Sequence, residues 1–153
     1  MSIEETLSES CVIAYVQGRT KKEVLIELIE VLKKAQLIEN TEQVLHVILE
    51  RERLGSTGIG DGVAIPHGKM KGIHTILCAF GRSVGGVDFD ALDRKPVHIF
   101  FLLLAPEDSA SLHLKMLSRI SKMLRDPFLR KKLLEATDSH ALYLNIIEED
   151  RKV

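Results

Sequence analysis

Apolar residues follow two different periods along this chain, and the change from one to the other predicts helices and strands. Between residues 24 and 32 they recur at three- and four-residue spacing, which is typical of one buried helix face. Thr20 and Glu23 have the capping-box spacing, so we expect this helix to begin there. A second stripe over residues 44–49 predicts another helix, capped by Asn40 or Thr41.

Shorter apolar runs have no helical period and predict strands. The run from Val97 to Leu104 is apolar except for His98, so we expect a central strand covered on both faces. Pro66 is expected to end one strand and Gly81 another, while residues 83–90 suggest a turn with at most a short edge strand. The other predicted strands are 11–16, 63–65 and 73–80.

The last third of the chain predicts three helices. The first runs from about residue 110 to 125, and the second begins at Pro127 after the cap Asp126. A third, capped by Asp138 or Ser139, is expected to run through residue 147 with a frayed tail. Strands that alternate with helices predict an α/β fold: a single-domain sandwich with one mixed β-sheet and helices on both faces.

Composition and charge limit the classes of partner. The chain has 153 residues, 45% hydrophobic and 28% charged, with a net charge of −1. This length suits one domain with a substantial core, and the charge offers no electrostatic reason to expect nucleic acid or membrane binding. No run is long enough to span a bilayer, and the N-terminus lacks a signal-peptide pattern. We therefore expect a cytoplasmic protein.

Two cysteines give little sign of special chemistry. Cys11 and Cys78 both lie in apolar, strand-like surroundings, which predicts buried thiols in a reducing compartment. The sequence has no Cys-x-x-Cys pair and no His-Glu-x-x-His motif, the common patterns of zinc sites. We expect no metal site.

A glycine-rich stretch leads into the first candidate catalytic residue. Glycines at 55, 58, 60 and 62 precede an apolar run, Pro66 and His67. Glycines let main-chain amides approach a ligand closely, and His67 at a strand end would be rigidly held yet accessible. The stretch matches neither the GxxxxGK[ST] nor the GxGxxG phosphate-binding pattern. A plain connecting loop and a surface histidine therefore remain alternatives here.

His113 is the second candidate, because it lies on the apolar stripe of the helix that follows the central strand. Leu117, Ile120 and Leu124 continue that stripe. Ligands of open α/β sheets bind in the crevice at the carboxyl ends of strands, and helix N-termini attract anions there. The alternative is a core histidine whose nitrogens are hydrogen-bonded within the protein.

Together these residues suit phosphoryl chemistry better than hydrolysis. His67 and His113 can face one crevice, with Arg51 at the end of a helix and Ser56 and Thr57 in the loop. Phosphoryl transfer depends mainly on positioning and on neutralising charge. A neutral imidazole is also a competent nucleophile near pH 7.

The stretch from Arg51 to Lys69, with Leu112–Leu117 after the central strand, resembles a known family signature. It is similar to the IIA component of the fructose/mannitol class of the phosphoenolpyruvate-dependent sugar phosphotransferase system, and nearest to the nitrogen-regulatory IIA proteins. The resemblance covers nearly the whole chain and implies one IIA type-2 domain over residues 1–153. One departure is Lys115, where nitrogen-type members often have a second histidine.

The resemblance implies roles for particular residues. His67 would be phosphorylated at Nε2 by an HPr-like phosphocarrier protein, with His113 and Arg51 supporting the phosphoryl group and Ser56 and Thr57 near the phosphate. The group would pass to a IIB domain or remain as a signal. The protein would thus be a phosphotransferase component that needs no metal and no cofactor.

Two alternatives remain open at the sequence level. In one, phosphorylation of His67 only switches the affinity of a regulatory binding module for a kinase, channel or transporter. In the other, the glycine-rich stretch makes the protein a nucleotide- or anion-binding protein. The absence of the lysine-bearing phosphate loop counts against the second alternative.

Overall fold

The computed structural model describes residues 1–152, which form six strands and five α-helices, with a single 3-10 turn before the first strand. The strands are β1 (Val12–Ile13), β2 (Gly58–Gly60), β3 (Val63–Ala64), β4 (His67–Met70), β5 (Leu77–Val87) and β6 (Val97–Pro106). The helices are α1 (Lys21–Lys34), α2 (Thr41–Arg53), α3 (Ala110–Leu124), α4 (Pro127–Glu135) and α5 (Ser139–Arg151).

All six strands belong to one mixed sheet, and β6 lies at its centre. The strand order is β1-β5-β6-β3-β2, with β4 also paired to β6. Strands β3 and β4 run parallel to β6, whereas β5 runs antiparallel to it. Every residue of β6 except His98 is buried, as expected for a strand covered on both faces. The predicted central strand is confirmed.

Helices cover both faces of this sheet, as two neighbouring residues of β5 show. A Cβ added to Gly81 would lie 3.1 Å from Leu28 Cδ2 of α1. The guanidinium of Arg82 instead donates to the carbonyl oxygens of Leu133 and Leu134 near the end of α4. Successive side chains of a strand point to opposite faces, so α1 and α4 lie on opposite sides. The predicted α/β sandwich is confirmed.

The predicted end of a strand at Gly81 is wrong, because β5 continues through it to Val87. Glycine is used here for close packing against α1, and the strand keeps its pairing with β6 on both sides of Gly81. Residues 73–76 precede β5 instead of forming its start. The first strand is also shorter than expected, since β1 pairs with β5 only at Val12 and Ile13.

The expectation that His67 stands where a strand ends is also wrong. His67 begins β4, which pairs with β6 in the same register as β3: Ala64 lies opposite Phe100, and His67 opposite Leu103. Pro66 has no N–H for the ladder, but its carbonyl accepts a hydrogen bond from the Leu103 N–H at 2.9 Å. The proline therefore interrupts the pairing only briefly.

The helix starts agree with the predicted caps. Thr20, Asn40, Asp126 and Asp138 each accept a hydrogen bond from a backbone N–H two or three residues further on. Such bonds satisfy amides that the helix itself leaves without partners. The local sequence signal is therefore enough to locate these four helix starts.

The expected frayed tail after Ile147 is wrong, because α5 continues to Arg151. Asp150 is only 1% exposed. Its carboxylate accepts a hydrogen bond from the Ile3 N–H at 2.9 Å and from Arg119 Nε at 2.6 Å. These long-range contacts hold the last turn of α5 in place, and they cannot be predicted from the local sequence pattern.

The two cysteines are free and buried, as predicted. Burial raises the pKa of the Cys78 thiol to about 12, so this thiol is a poor nucleophile near neutral pH. Across residues 1–152, the helices are too short or too polar to cross a lipid bilayer.

Candidate functional site

The two histidines singled out in the sequence meet on one face of the sheet. The ring centroids of His67 and His113 are 5.4 Å apart, and the ring planes meet at 74°. The neighbouring Gly68 faces α2, where an added Cβ would lie 2.6 Å from Val47 Cγ1. Because β4 alternates its faces, the imidazole of His67 points the other way, toward α3.

Hydrogen bonding determines which nitrogen of His67 is free to react. Nδ1 of His67 lies 2.7 Å from the carbonyl oxygen of Ile65. A carbonyl oxygen only accepts hydrogen bonds, so Nδ1 carries the proton and donates. In the neutral ring, Nε2 therefore has the lone pair.

The surroundings of His67 favour its neutral form. Burial lowers the pKa of His67 below its ordinary value, and the positive charge of Arg51 lowers it further. The hydrogen bond to Ile65 and the negative charge of Glu52 act in the opposite direction. The net shift is downward, so His67 is mostly an uncharged nucleophile at neutral pH.

His113 is held in the first turn of α3, where its N–H donates to the Ser109 carbonyl at 2.9 Å. The residue is 5% exposed, and its Nε2 has no hydrogen-bond partner among the described residues. Burial lowers the pKa of His113 to about 4, and the charges of His67 and Lys69 contribute in the same direction. An unpartnered buried nitrogen is costly, so His113 is not a core histidine satisfied within the protein.

Arg51 supplies a positive charge beside this pair from the last turn of α2. Its Nη1 donates to the carbonyl oxygen of Gly55 at 2.9 Å. No carboxylate of residues 1–152 lies within ion-pair distance of Arg51. The guanidinium is therefore anchored to the loop while its charge stays uncompensated by an acidic group.

Ser56 and Thr57 both have protein partners. The Ser56 hydroxyl donates to the Phe89 carbonyl at 2.8 Å and accepts from the Gly58 N–H at 3.0 Å. The Thr57 hydroxyl donates to the Glu52 carboxylate, which also accepts the Thr57 N–H at 3.2 Å. Phosphate binding by Ser56 and Thr57 stays a prediction, and these contacts give both residues a role in shaping the loop.

Glu52 is the member of this region that sequence reasoning missed. It is 7% exposed, and its carboxylate lies 2.7 Å from Lys21 Nζ as well as bonding to Thr57. The available signal was its position, because an acidic residue in the last turn of a helix opposes the helix dipole. Such a residue needs a compensating partner, and Lys21 provides it.

The histidine pair is not part of a metal-binding cluster. Within residues 1–152, no group of three His, Cys, Asp or Glu side chains is arranged to hold a metal ion. The groups beside His67 are instead a second imidazole and a guanidinium. This arrangement offers hydrogen-bond donors and positive charge to an anion next to a nucleophilic nitrogen.

Comparison with known proteins identifies the family of this chain. The family model for the phosphoenolpyruvate-dependent sugar phosphotransferase system, EIIA 2, matches residues 5–149. The nitrogen regulatory protein of Bradyrhizobium diazoefficiens is 40% identical over 144 residues, which are 94% of this chain and 93% of that protein. The fructose-specific EIIABC component of Bacillus subtilis is 38% identical over 152 residues. They cover 99% of this chain but only 24% of that protein.

Solved structures agree with this assignment. Nitrogen regulatory protein IIA-Ntr from Neisseria meningitidis has a TM-score of 0.88 and 33% identity, with 94% of this chain and 98% of that chain covered. The complex of enzyme IIA mannitol with phosphorylated enzyme IIB mannitol from Escherichia coli gives a TM-score of 0.77 at 18% identity. It covers 94% of this chain and 98% of that chain, a likeness that concerns the fold alone. The chain belongs to the EIIA 2 family of the phosphoenolpyruvate-dependent sugar phosphotransferase system.

Proposed function

We propose that this protein is a phosphohistidine phosphotransfer protein. His67 accepts a phosphoryl group from an HPr-like phosphocarrier protein and passes it to a IIB domain or retains it as a signal. The observation that carries the proposal is the close pair formed by His67 and His113, 5.4 Å apart. One ring in this pair has a defined free nitrogen, and the other has a buried nitrogen without a partner.

In the transfer step, the lone pair of His67 Nε2 attacks the phosphorus of the carrier's phosphohistidine. A new P–N bond forms at His67 while the P–N bond of the carrier breaks, and the electron pair of the broken bond returns to the carrier's imidazole. The His67 ring becomes more positive as it bonds to phosphorus. Its Nδ1–H keeps donating to Ile65, which stabilises that charge.

The groups around His67 would hold the phosphoryl oxygens. The Nε2 of His113 has no partner within residues 1–152, which supports a role for His113 as a hydrogen-bond donor to one oxygen. The positive charge of Arg51 would balance the negative charge of the phosphoryl group. The first turn of α3 adds backbone amides, since Ser109 makes no side-chain cap. Ser56 and Thr57 keep the loop in shape beside the phosphate. With these donors and charges the reaction requires no metal and no cofactor.

A regulatory output is the second candidate function. In it, phosphorylation of His67 changes the affinity of the protein for a kinase or transporter, and no phosphoryl group moves on. The several relatives named nitrogen regulatory proteins favour this version. A nucleotide-binding role has less support, because the amides of Thr57 and Gly58 already donate to groups of the protein.

The deciding experiment is phosphorylation of the purified protein by a phosphorylated HPr-like carrier, followed by mass spectrometric mapping under alkaline conditions that preserve phosphohistidine. We expect one label on His67 and none in His67→Ala. Labelling at another residue, or undiminished labelling of His67→Ala, would contradict the proposal. Adding a purified IIB domain then separates the two outputs, since only the transport version moves the label onward.

A further inference from the structure

Lys69 lies beside the histidine pair by virtue of its position on β4. It stands two residues after His67, and the two pair with Ala105 and Leu103 of β6 in an unbroken register. Gly68 between them faces α2. Alternation therefore directs Lys69 to the same face of the sheet as His67, at a separation of about 6.6 Å along the strand.

The charge of Lys69 has no acidic partner. Lys69 is exposed, and within residues 1–152 no carboxylate lies within 4.0 Å of its ammonium group. The charge is nevertheless felt inside the site, because it contributes to the lowered pKa of His113. An unpaired cation next to two imidazoles is suited to an anion that arrives between them.

We propose that Lys69 is a second cationic ligand of the phosphoryl group, contacting it from β4 while Arg51 approaches from the end of α2. This inference rests on the proposed function of His67. The phosphoryl group brings negative charge to a site whose imidazoles are neutral, so a single guanidinium leaves part of that charge uncompensated. The flexible lysine stem lets the ammonium follow the group during transfer.

The exposure of Lys69 determines how much its replacement should slow phosphoryl transfer. An ammonium that stays partly in water contributes less than a buried one, so we expect a loss of about tenfold in the transfer rate, in the range typical of one charge-assisted hydrogen bond. Lys71 provides a matched control. It is also an exposed lysine, but it lies beyond the end of β4 and does not contribute to the shift at either histidine.

The test compares Lys69→Met, Lys69→Arg and Lys71→Met as acceptors of the phosphoryl group from the carrier. The transfer rate is measured at several concentrations of each variant. We expect Lys69→Met to lower the maximal rate about tenfold with its half-saturating concentration little changed. Lys69→Arg should keep most of the rate, and Lys71→Met should stay within about twofold of the unaltered protein. A change confined to the half-saturating concentration would instead show that Lys69 only helps the carrier dock, and would overturn the inference.

An independent readout is the titration of the His113 imidazole, followed by NMR in the unphosphorylated protein. Lys69→Met should raise the pKa of His113, while Lys71→Met should leave it unchanged. Unaltered transfer and titration in Lys69→Met would overturn the inference although His67 is still labelled. Absence of label on His67 in the unaltered protein would instead overturn the proposed function, and the role of Lys69 with it.

Discussion

His67 and His113 are the same residue type in different surroundings, and the hydrogen bonding of their ring nitrogens differs. The Ile65 carbonyl holds the proton of His67 on Nδ1, whereas Nε2 of His113 has no partner within the described chain. In the proposed function, the free Nε2 of His67 is the nucleophile and the unpartnered Nε2 of His113 is a donor to the phosphoryl group. At this scale the chemistry depends on single hydrogen bonds, each of which can be tested.

Stability should fall as the pH drops through the range in which His113 resists protonation. Its pKa is about 4 in the folded protein, against about 6.5 for an ordinary histidine. The unfolded chain therefore binds the extra proton first, so stability is fully present above about pH 6.5 and declines below it. Between those two pH values, the free energy of unfolding contributed by His113 falls by up to about 1.4 kcal/mol per pH unit.

Urea unfolding of the unaltered protein and of His113→Gln at pH 7, 6 and 5 measures this contribution. The variant lacks the titrating group, so its free energy of unfolding should decline less steeply between pH 7 and pH 5. Because both proteins share all other acidic and basic groups, the difference between them isolates His113. Parallel declines would show that His113 protonates equally in both states.

At the scale of elements, a buried carboxylate joins α1, α2 and the glycine-rich loop. Glu52 near the end of α2 bonds to Lys21 of α1 and to Thr57 of the loop. Lys21 Nζ also lies 4.7 Å from the centroid of the Phe89 ring. The backbone carbonyl of Phe89 accepts the hydrogen bond from the Ser56 hydroxyl. The loop that carries the Arg51 contact is therefore built on a buried polar network.

Glu52→Gln should destabilise the protein by about 1–3 kcal/mol, because it leaves the Lys21 ammonium and the Thr57 donors without their charged acceptor. Glu50→Gln is the matched control, since Glu50 forms an exposed pair with Arg53 on the same helix. That change should cost at most about 0.5 kcal/mol. The free energy of unfolding in urea gives both values, and equal losses would mean that the network contributes nothing beyond a surface charge.

The elements themselves were largely predictable, and their boundaries much less so. The caps at Thr20 and Asn40 are local signals and were located correctly. Glycine and proline usually end strands, which predicts strand ends at Pro66 and Gly81. Strand β3 does end at Ala64, just before Pro66, whereas β5 continues through Gly81. The packing of α1 against Gly81 and the Pro66 carbonyl bond to β6 involve distant residues, so their effect is absent from the local pattern.

At the scale of the whole molecule, Asp150 connects the two ends of the chain. Its carboxylate accepts from the backbone of Ile3 and from Arg119 of α3, so the N-terminal segment, α3 and α5 are held together at one point. The acidic partner of this pair is almost fully buried, since the Asp150 side chain is 1% exposed, whereas that of Arg119 is 25% exposed. Loss of the carboxylate would leave a guanidinium and a backbone amide without their acceptor.

Asp150→Ala, which removes both accepting oxygens, should therefore cost about 2–4 kcal/mol of unfolding free energy and speed hydrogen exchange at the Ile3 amide. Glu149→Gln, which removes an acidic partner of Lys152, should leave exchange at Ile3 unchanged and cost at most about 0.5 kcal/mol. Hydrogen exchange detected by NMR distinguishes a local release of the N-terminus from general destabilisation. Unchanged exchange at Ile3 in Asp150→Ala would contradict this role.

Local sequence signals were enough to predict the alternation of helices and strands, the helix caps, the central strand and the family. They also selected His67, His113 and Arg51. These predictions depend on local periodicity and on the motif from Arg51 to Lys69, and both can be recognised in the sequence without knowledge of the fold.

Which side chains lie next to one another became clear from the folded structure. The sheet register directs His67 and Lys69 toward α3, and the fold commits the hydroxyls of Ser56 and Thr57 to Phe89 and Glu52. Register and burial arise from contacts between residues far apart in the chain. No local pattern of apolar and polar positions encodes them.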